Sequence, residues 1–351
     1  MNKRKKNNGI QFILYIFILA LGFASCEDYL DKAPESDISD NDVYGNFMSF
    51  QGFIEEMYNC IADPHKAMAG NHYYNSFFDD ATLSNSPLPW DDGNYWFAQD
   101  RILTGSVNTN NGTMNKRIYP LAWYAIRKAN LALASLDLMT SATQEERDLI
   151  AGQAYFFRGF FHLELMQYYG GLPYIDTLLV ASQEMKVPRL SYRETALKAA
   201  IDFRKAADLL PINWDNTTAG KMTFGNNALR ASKIEALGYL GRNLLYAASP
   251  MMNESSTGVN AYDTELCKQA AEVFAEAIKL CNETGAYKLE PWETRTNNFW
   301  VWSPGNRERP GGTEVIRNQS IYDVSYTRWC TNRTSNPVQF GAGNTRVEVP
   351  T

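Results

Sequence analysis

Aromatic side chains in polar loops are the residues of this 351-residue chain whose type and spacing could do chemistry on a ligand. The C–H faces of a sugar stack on such rings, while neighbouring Asn, Asp and Arg side chains hold its hydroxyl groups. The alternative is that any single ring fills the core of an irregular lobe. The six candidate ligand-binding residues are Trp90, Tyr95, Trp96, Trp300, Trp302 and Trp329.

Catalytic motifs are absent from the sequence. No phosphate-binding loop, dinucleotide fingerprint, nucleophile elbow or Cys-x-x-Cys pair occurs. Two acid pairs, Asp79 with Asp80 and Asp91 with Asp92, could serve a glycosidase, but their polar neighbours favour solvated loop carboxylates. The three histidines, which are His65, His72 and His162, show no metal-ligand spacing. We therefore predict a binding protein that is not an enzyme and that needs neither a metal nor a cofactor.

The net charge argues against a nucleic-acid partner. The chain carries a formal charge of −6, and its first 26 residues contain four Lys and Arg residues and no acid, so the remainder carries −10. Binding to nucleic acid requires cations that neutralise phosphates. Apolar residues make up 45% of the chain, which is enough for a globular protein with a real core.

The N-terminus has the pattern of an export signal followed by a lipidation site. Four basic residues precede an apolar run of 14 residues, which is too short to span a bilayer. Small residues then lead to Cys26, as in a bacterial lipobox, so Cys26 is the predicted lipidation site. Acyl chains would anchor the protein to a membrane. The alternative is plain secretion with Cys26 incidental. The polar, acidic residues that follow, up to residue 42, predict a tether.

Residues 149–174 predict the central element, one long helix that is apolar almost all round. Such a helix is buried and has partners on more than one face. A buried Arg is usually held by a carboxylate or by helix-end carbonyl groups, and we predict this structural role for Arg158. Gly170 and Gly171 can end the helix, and Pro173 forbids its continuation.

Helical periodicity and turn signals place the other elements around this helix. A first helix over residues 43–61 could be capped by Asp40 or Asn41, and a break of four residues before Gln144 predicts a helical hairpin. Trp123, inside the first helix of that hairpin, is expected in the core. Cys267 and Cys281 lie 14 residues apart on one predicted helix and cannot bridge each other. The remaining predicted helices cover residues 116–139, 191–210, 228–249 and 264–282.

An internal repeat recurs among these helices. Ala199, Phe203 and Ala206 match the second-helix pattern of a tetratricopeptide repeat, and Ala270 begins the same pattern 71 residues later. A degraded third copy begins at Ala125. Small residues at these positions allow paired helices to touch, while the Phe fills the space between pairs. We predict a mainly α fold of tetratricopeptide-like helical repeats with long loops.

The sequence AYFFRGFFHL at residues 154–163 is followed by YYGGLP at residues 168–173. This pattern resembles the hallmark helix of the SusD/RagB family of outer-membrane, glycan-binding lipoproteins. Residues 231–253 and the run PLAWYAIRKAN at residues 120–130 carry two further family patterns. Together they cover most of residues 26–290 in family order.

The resemblance implies that the protein captures a starch-like or other oligosaccharide and delivers it to a SusC-like, TonB-dependent transporter, which it covers as a lid. It implies a lipid-anchored position in the outer membrane that faces the cell surface, with acidic residues after Cys26 acting as an export signal. It also implies a further long segment after residue 351, so that the C-terminal lobe is incomplete here. The alternatives are a helical-repeat scaffold that binds peptide or protein and, less favoured, a helical-toroid glycosidase.

The expected organisation has four parts. Residues 1–25 form a lipoprotein signal peptide, and residues 26–42 form the lipidated cysteine and its acidic tether. Residues 43–284 form the helical-repeat domain, with a loop insertion at 62–115. Residues 285–351, where helical periodicity disappears, begin the irregular C-terminal lobe.

Overall fold

The computed structural model describes residues 39–61, 82–83, 118–179, 186–223, 227, 230–289, 316 and 347–348. The chain divides into one unit at Met1–Val43 and a second at Tyr44–Thr351. The α-helices, in chain order, are α1 (Asp40–Tyr44), α2 (Phe47–Asn59), α3 (Ile118–Ala134), α4 (Gln144–Tyr169), α5 (Tyr192–Leu209), α6 (Thr218–Met222), α7 (Lys233–Ala248), α8 (Pro250–Thr257) and α9 (Thr264–Thr284). Two short 3-10 helices lie at Leu136–Leu138 and Trp214–Asn216. Strand β1 (Thr82–Leu83) pairs in antiparallel fashion with β2 (Val347–Glu348).

The central helix is α4, and it is buried on several faces as predicted. It packs between α3 and α5 and also contacts α2. Its N-terminus is fixed by a capping box, in which the Thr143 hydroxyl accepts the Glu146 N–H and the Glu146 side chain accepts the Thr143 N–H. Phe156 and Phe157, which are adjacent in sequence and therefore lie on different faces of the helix, are both fully buried. Burial of rings on different faces explains why the middle of this helix lacks a polar face.

The other long helices continue the array in one direction. Helix α5 lies between α4 and α7, and α7 lies between α5 and α9. The ring of Phe203 on α5 faces Gly159 on α4, and the ring of Phe274 on α9 faces Gly241 on α7 in the same way. A Cβ atom placed on Gly241 would lie 2.6 Å from the Phe274 ring, so this helix contact requires glycine. The equivalent contacts confirm the tetratricopeptide-like repeat.

The N-terminal helix differs from its prediction. One helix was expected over residues 43–61 with a cap at Asp40 or Asn41, whereas the structure has two helices, α1 and α2. The break occurs because the Asn46 side chain accepts the Ser49 N–H at 3.0 Å and starts α2. The short helices α6 and α8 were also not predicted, since each contains too few residues to show a period.

The cysteines that the structure describes are free thiols. Cys60 is buried, and Cys267 and Cys281 are partly exposed on α9. Burial raises the pKa of the Cys60 thiol to about 12, which keeps it protonated and unreactive. Cys267 and Cys281 do not bridge each other, as their spacing on one helix predicted.

Candidate functional site

The residues predicted from sequence to act on a ligand or a lipid lie outside the part of the chain that the structure describes. This applies to the six aromatic candidates and to the predicted lipidation site, and these assignments stay predictions. The residues concerned are Trp90, Tyr95, Trp96, Trp300, Trp302, Trp329 and Cys26. The described residues instead contain a buried polar network on α4 and an aromatic surface beside it.

Arg158 is the centre of the buried network. Its guanidinium makes a two-pronged contact with Asp202 of α5, with Nε to Oδ2 at 2.6 Å and Nη2 to Oδ1 at 2.7 Å. Its Nη1 donates to the side chain of Asn130 on α3 and to the carbonyl of Asp176, both at 2.9 Å. Burial disfavours the charged guanidinium, but the hydrogen bonds and the charge of Asp202 raise the pKa of Arg158. The predicted structural role of Arg158 is confirmed.

Tyr174 completes the contacts of the Asp202 carboxylate. Its hydroxyl donates to Oδ2 at 2.6 Å, and burial together with the neighbouring carboxylate raises the pKa of Tyr174 well above its usual value. Each polar atom in this cluster therefore has a partner that suits its charge. The network joins α3, α4, α5 and the chain after α4, and it has the chemistry of a structural joint rather than of a reactive site.

His162 is a neutral member of the same network. Its Nδ1 lies 2.8 Å from the carbonyl oxygen of Arg158, and its Nε2 lies 3.2 Å from the backbone nitrogen of Ile175. The Ile175 N–H must donate, so Nε2 accepts and the ring proton sits on Nδ1. Burial lowers the pKa of His162 to about 3. Both ring nitrogens are occupied, so His162 is available neither as a general acid or base nor as a metal ligand.

The segment after α4 is held tightly against the start of α5. Gly170 ends α4 with a φ of 73°, a left-handed value that favours glycine. The Leu172 N–H donates to the Thr195 hydroxyl at 3.0 Å, and the Arg189 guanidinium donates to the carbonyls of Gly171 and Tyr169. The Gly-Gly-Leu-Pro turn is therefore a positioning element, which fixes the C-terminal end of α4.

A second titratable group lies near that end of α4. Burial raises the pKa of Glu164, while the amide of Gln167, which donates to it at 3.0 Å, and the charge of Arg242 act in the opposite direction. Arg242, on α7, lies 5.2 Å from the centre of the Tyr246 ring and donates to its hydroxyl at 3.2 Å. These groups can hold a polar ligand by hydrogen bonds, but they do not form a nucleophile–base pair.

Three aromatic rings meet on the surface formed by α3 and the end of α4. We call Tyr119, Trp123 and Tyr169 the α3–α4 aromatic surface. The centre of the Tyr119 ring lies 6.0 Å from that of Trp123 and 5.4 Å from that of Tyr169, with the planes inclined by 72° and 68°. Tyr119 is 40% exposed, and the other two rings are partly buried. Trp123, which was expected in the core, is partly buried: its ring packs against the buried His162 at the edge of the buried face of α3.

One cleft lies on another side of α4, beside its first turns. It has a volume of about 400 Å³ and is lined by Leu136, Asp137, Gln144, Arg147, Asp148 and Ala151. The Arg147 guanidinium already donates to the Met139 carbonyl at 2.5 Å. Three of the six lining residues are charged and none carries an aromatic ring, so the cleft does not suit the stacking of a sugar.

The residues that the structure describes include no group of three or more His, Cys, Asp or Glu side chains that could hold a metal ion. None of the helices in the described part of the chain has both the length and the apolar character needed to cross a membrane.

The sequence of the chain matches the model of one known family. Residues 28–242, which are more than half of the chain, match the SusD-like family model, described as starch-binding and associating with the outer membrane. The chain belongs to the SusD-like family. The match contains the stretches at residues 120–130 and 154–173 completely and the first 12 residues of the stretch at 231–253. No significant match was found among curated proteins.

Solved structures from Bacteroides species share the fold of this SusD-like chain. A SusD-like protein from Bacteroides fragilis has a TM-score of 0.53 at 19% identity, over 82% of this chain and 47% of that one. A SusD homolog from Bacteroides thetaiotaomicron has a TM-score of 0.53 at 15% identity, covering 80% of this chain and 51% of its own. A SusD-like carbohydrate-binding protein from Bacteroides vulgatus has a TM-score of 0.52 at 18% identity, with 86% and 57% covered. The chain thus spans about half the length of these proteins.

Proposed function

We propose that this SusD-like protein binds an oligosaccharide at the surface of the outer membrane and delivers it to a TonB-dependent transporter. The observation that carries the proposal is the match of residues 28–242 to a family described as starch-binding and associating with the outer membrane. The fold supports it, because similar helical arrays occur in the SusD-like structures from Bacteroides. The transporter would be a SusC-like barrel, with which this protein would form a complex.

The proposed attachment to the membrane is a lipid on Cys26. The residues around Cys26 follow the lipobox pattern, and an acidic stretch comes directly after it. More than one acyl chain is needed for a stable anchor, and such an anchor leaves the folded part in water. This arrangement places the protein on the cell surface, where it can meet polysaccharide.

The proposed action is binding without conversion of the ligand. The described titratable groups support this, because the Arg158 network is fully paired and His162 is neutral with both nitrogens occupied. Rings that stack on a sugar and side chains that hold its hydroxyl groups need no general acid or nucleophile. The six loop aromatics named above remain the proposed binding residues.

The test is a panel that compares oligosaccharides with peptides by isothermal titration calorimetry. We expect at least one glycan, with maltoheptaose as the first probe, to bind the purified protein, and no peptide to bind more tightly. The double variant Trp90→Ala/Trp96→Ala should weaken glycan binding, whereas Tyr262→Ala, a matched change at a 63% exposed ring before α9, should not. Peptide binding alone would favour the scaffold alternative.

The same samples test the absence of catalysis. The oligosaccharide is incubated with the protein and analysed by chromatography for shorter products. We expect the ligand to be recovered intact, and the appearance of shorter products would contradict the proposal that the protein only binds.

A further inference from the structure

A short piece of chain after α4 covers His162. We call residues 174–176 the covering segment. The Tyr174 ring stacks on the His162 ring, with centres 3.8 Å apart and planes inclined by 17°, and the Ile175 N–H donates to Nε2 of His162. His162 is fully buried, whereas Asp176 at the end of the covering segment is exposed. On this side His162 therefore lies beneath a single layer of chain.

The hydrogen bonds of the covering segment differ in their sensitivity to acid. The Asn130 amide donates to the Ile175 carbonyl and the Arg158 guanidinium donates to the Asp176 carbonyl, both at 2.9 Å. An amide does not titrate and a guanidinium keeps its charge, so acid leaves these two donors unchanged. Nε2 of His162 accepts the Ile175 N–H only while it carries no proton. This contact is the one that a proton abolishes.

The chain is also fixed on both sides of the covering segment. Before it, the Leu172 N–H donates to the Thr195 hydroxyl at 3.0 Å. After it, the Leu179 carbonyl accepts the Arg127 guanidinium at 2.9 Å. Neither contact involves His162. Residues between Leu172 and Leu179 can therefore move outward as a short loop while α4 and α5 stay packed.

The surroundings of His162 favour its neutral form as long as the covering segment is in place. Burial is the main cause, and the cations Arg158 on α4 and Lys198 on α5 act in the same direction, whereas the carboxylate of Asp176 opposes them. Helix α3 contributes the uncharged Trp123 ring, 5.9 Å from the His162 ring between centres. Together these groups lower the pKa of His162 to about 3. A proton on Nε2 is thus far better accommodated when the ring meets water.

We propose that His162 is an acid-sensitive switch: when Nε2 takes a proton from water, the Ile175 N–H loses its acceptor and the covering segment opens locally, while α4 and α5 remain folded. The covering segment is closed at neutral pH and opens increasingly as the pH falls below 6.5. This inference goes beyond the proposed function and does not rest on it, because it concerns the chain without a ligand.

Hydrogen exchange of the full chain, followed by mass spectrometry at pH 7 and pH 5, measures the opening. Each rate is divided by the intrinsic rate at that pH. With a pKa of about 3 when closed and an ordinary value of 6.5 when open, the peptide containing Ile175 should open about 25-fold more often at pH 5. Addition of 1 M urea should leave this rate unchanged, because local opening exposes little surface. Amides in the middle of α4, which need global unfolding, should exchange at least about 5-fold faster in the same urea.

Two variants assign the effect to His162. In His162→Gln the side-chain oxygen can accept the Ile175 N–H and does not titrate, so the increase at pH 5 should disappear. Lys198→Met removes the exposed ion pair of the covering segment with Asp176 but keeps His162, so the increase should remain.

Three results would overturn the switch. The first is corrected exchange at Ile175 that is equal at both pH values, and the second is an increase at pH 5 that persists in His162→Gln. The third is a urea dependence at Ile175 that equals that of α4, which would show global unfolding. The first and third are measured on the unchanged protein, so they decide the question even if His162→Gln does not fold.

Discussion

Replacing Arg158 by Met is the sharpest test of how this fold is held together. The change removes the guanidinium but keeps a long side chain of similar shape. It leaves the Asp202 carboxylate, which is 2% exposed, with the Tyr174 hydroxyl as its only remaining hydrogen-bond donor among the side chains that the structure describes. Breaking a buried ion pair by removing one member costs about 3–5 kcal/mol, because the remaining charge is desolvated and unpaired. For a domain of about 200 residues this lowers the melting temperature by about 6–20 °C.

The measurement is urea unfolding followed by circular dichroism, with the free energy of unfolding compared between variants. The matched control is Lys198→Met, which breaks a pair with Asp176 whose two side chains are 45% and 43% exposed, at 3.1 Å. An exposed pair contributes about 0–1 kcal/mol, so this control should unfold almost like the unchanged protein.

The double variant Arg158→Met/Asp202→Leu tests the reasoning further. It removes both charges, so no unpaired charge remains in the core, and it should be more stable than Arg158→Met alone. A loss below about 1 kcal/mol in Arg158→Met would refute the claim that the buried pair joins α4 to α5. A double variant that is less stable than the single one would refute the explanation by an unpaired charge.

Three further predictions concern packing, pH and the anchor. Phe161 is 2% exposed and stacks on Phe157, so Phe161→Ala should lower the free energy of unfolding by about 3–5 kcal/mol. The same urea titration measures this loss, and an unchanged midpoint would contradict the burial of Phe161. His162 has a folded pKa of about 3, below the ordinary value of 6.5, so the unfolded chain binds the proton first as the pH drops. The free energy of unfolding therefore falls below pH 6.5, and the loss is about 2 kcal/mol at pH 5. In His162→Gln the free energy of unfolding should depend less steeply on pH. Cys26→Ser should release the protein from membrane fractions, and a variant that resists a carbonate wash would contradict the lipid anchor.

Local signals in the sequence predicted much of the helical array correctly. Gln144 begins α4 as expected, because Thr143 and Glu146 form a capping box from neighbouring residues alone. The same device, built from Ser191 and Glu194, starts α5. The burial of α4 follows from its composition, since rings at helical spacing on both sides leave no face for water. Such features depend on residues within one or two turns, so they can be predicted without knowledge of the neighbours.

The partner of Arg158 required the tertiary structure. The sequence shows that a cation inside an apolar helix needs a carboxylate or carbonyl groups as partners, and the chain contains 39 acids from which to choose. Asp202 is selected because α5 packs on α4 and brings a residue 44 positions away to within 2.6 Å. The prediction from sequence therefore reached the kind of partner and not its identity.

The family patterns and the helical repeat could be recognised from the sequence alone, because small residues and rings at fixed spacing specify contacts between helices. The exposure of a ring was decided only by the tertiary structure. Tyr119 and Trp123 belong to a helix whose pattern predicts burial, and only the packing of α3 against α4 places them at the edge of the core. Exposure is a property of all the neighbours of a side chain, and these neighbours, such as Tyr169 and His162, come from another helix.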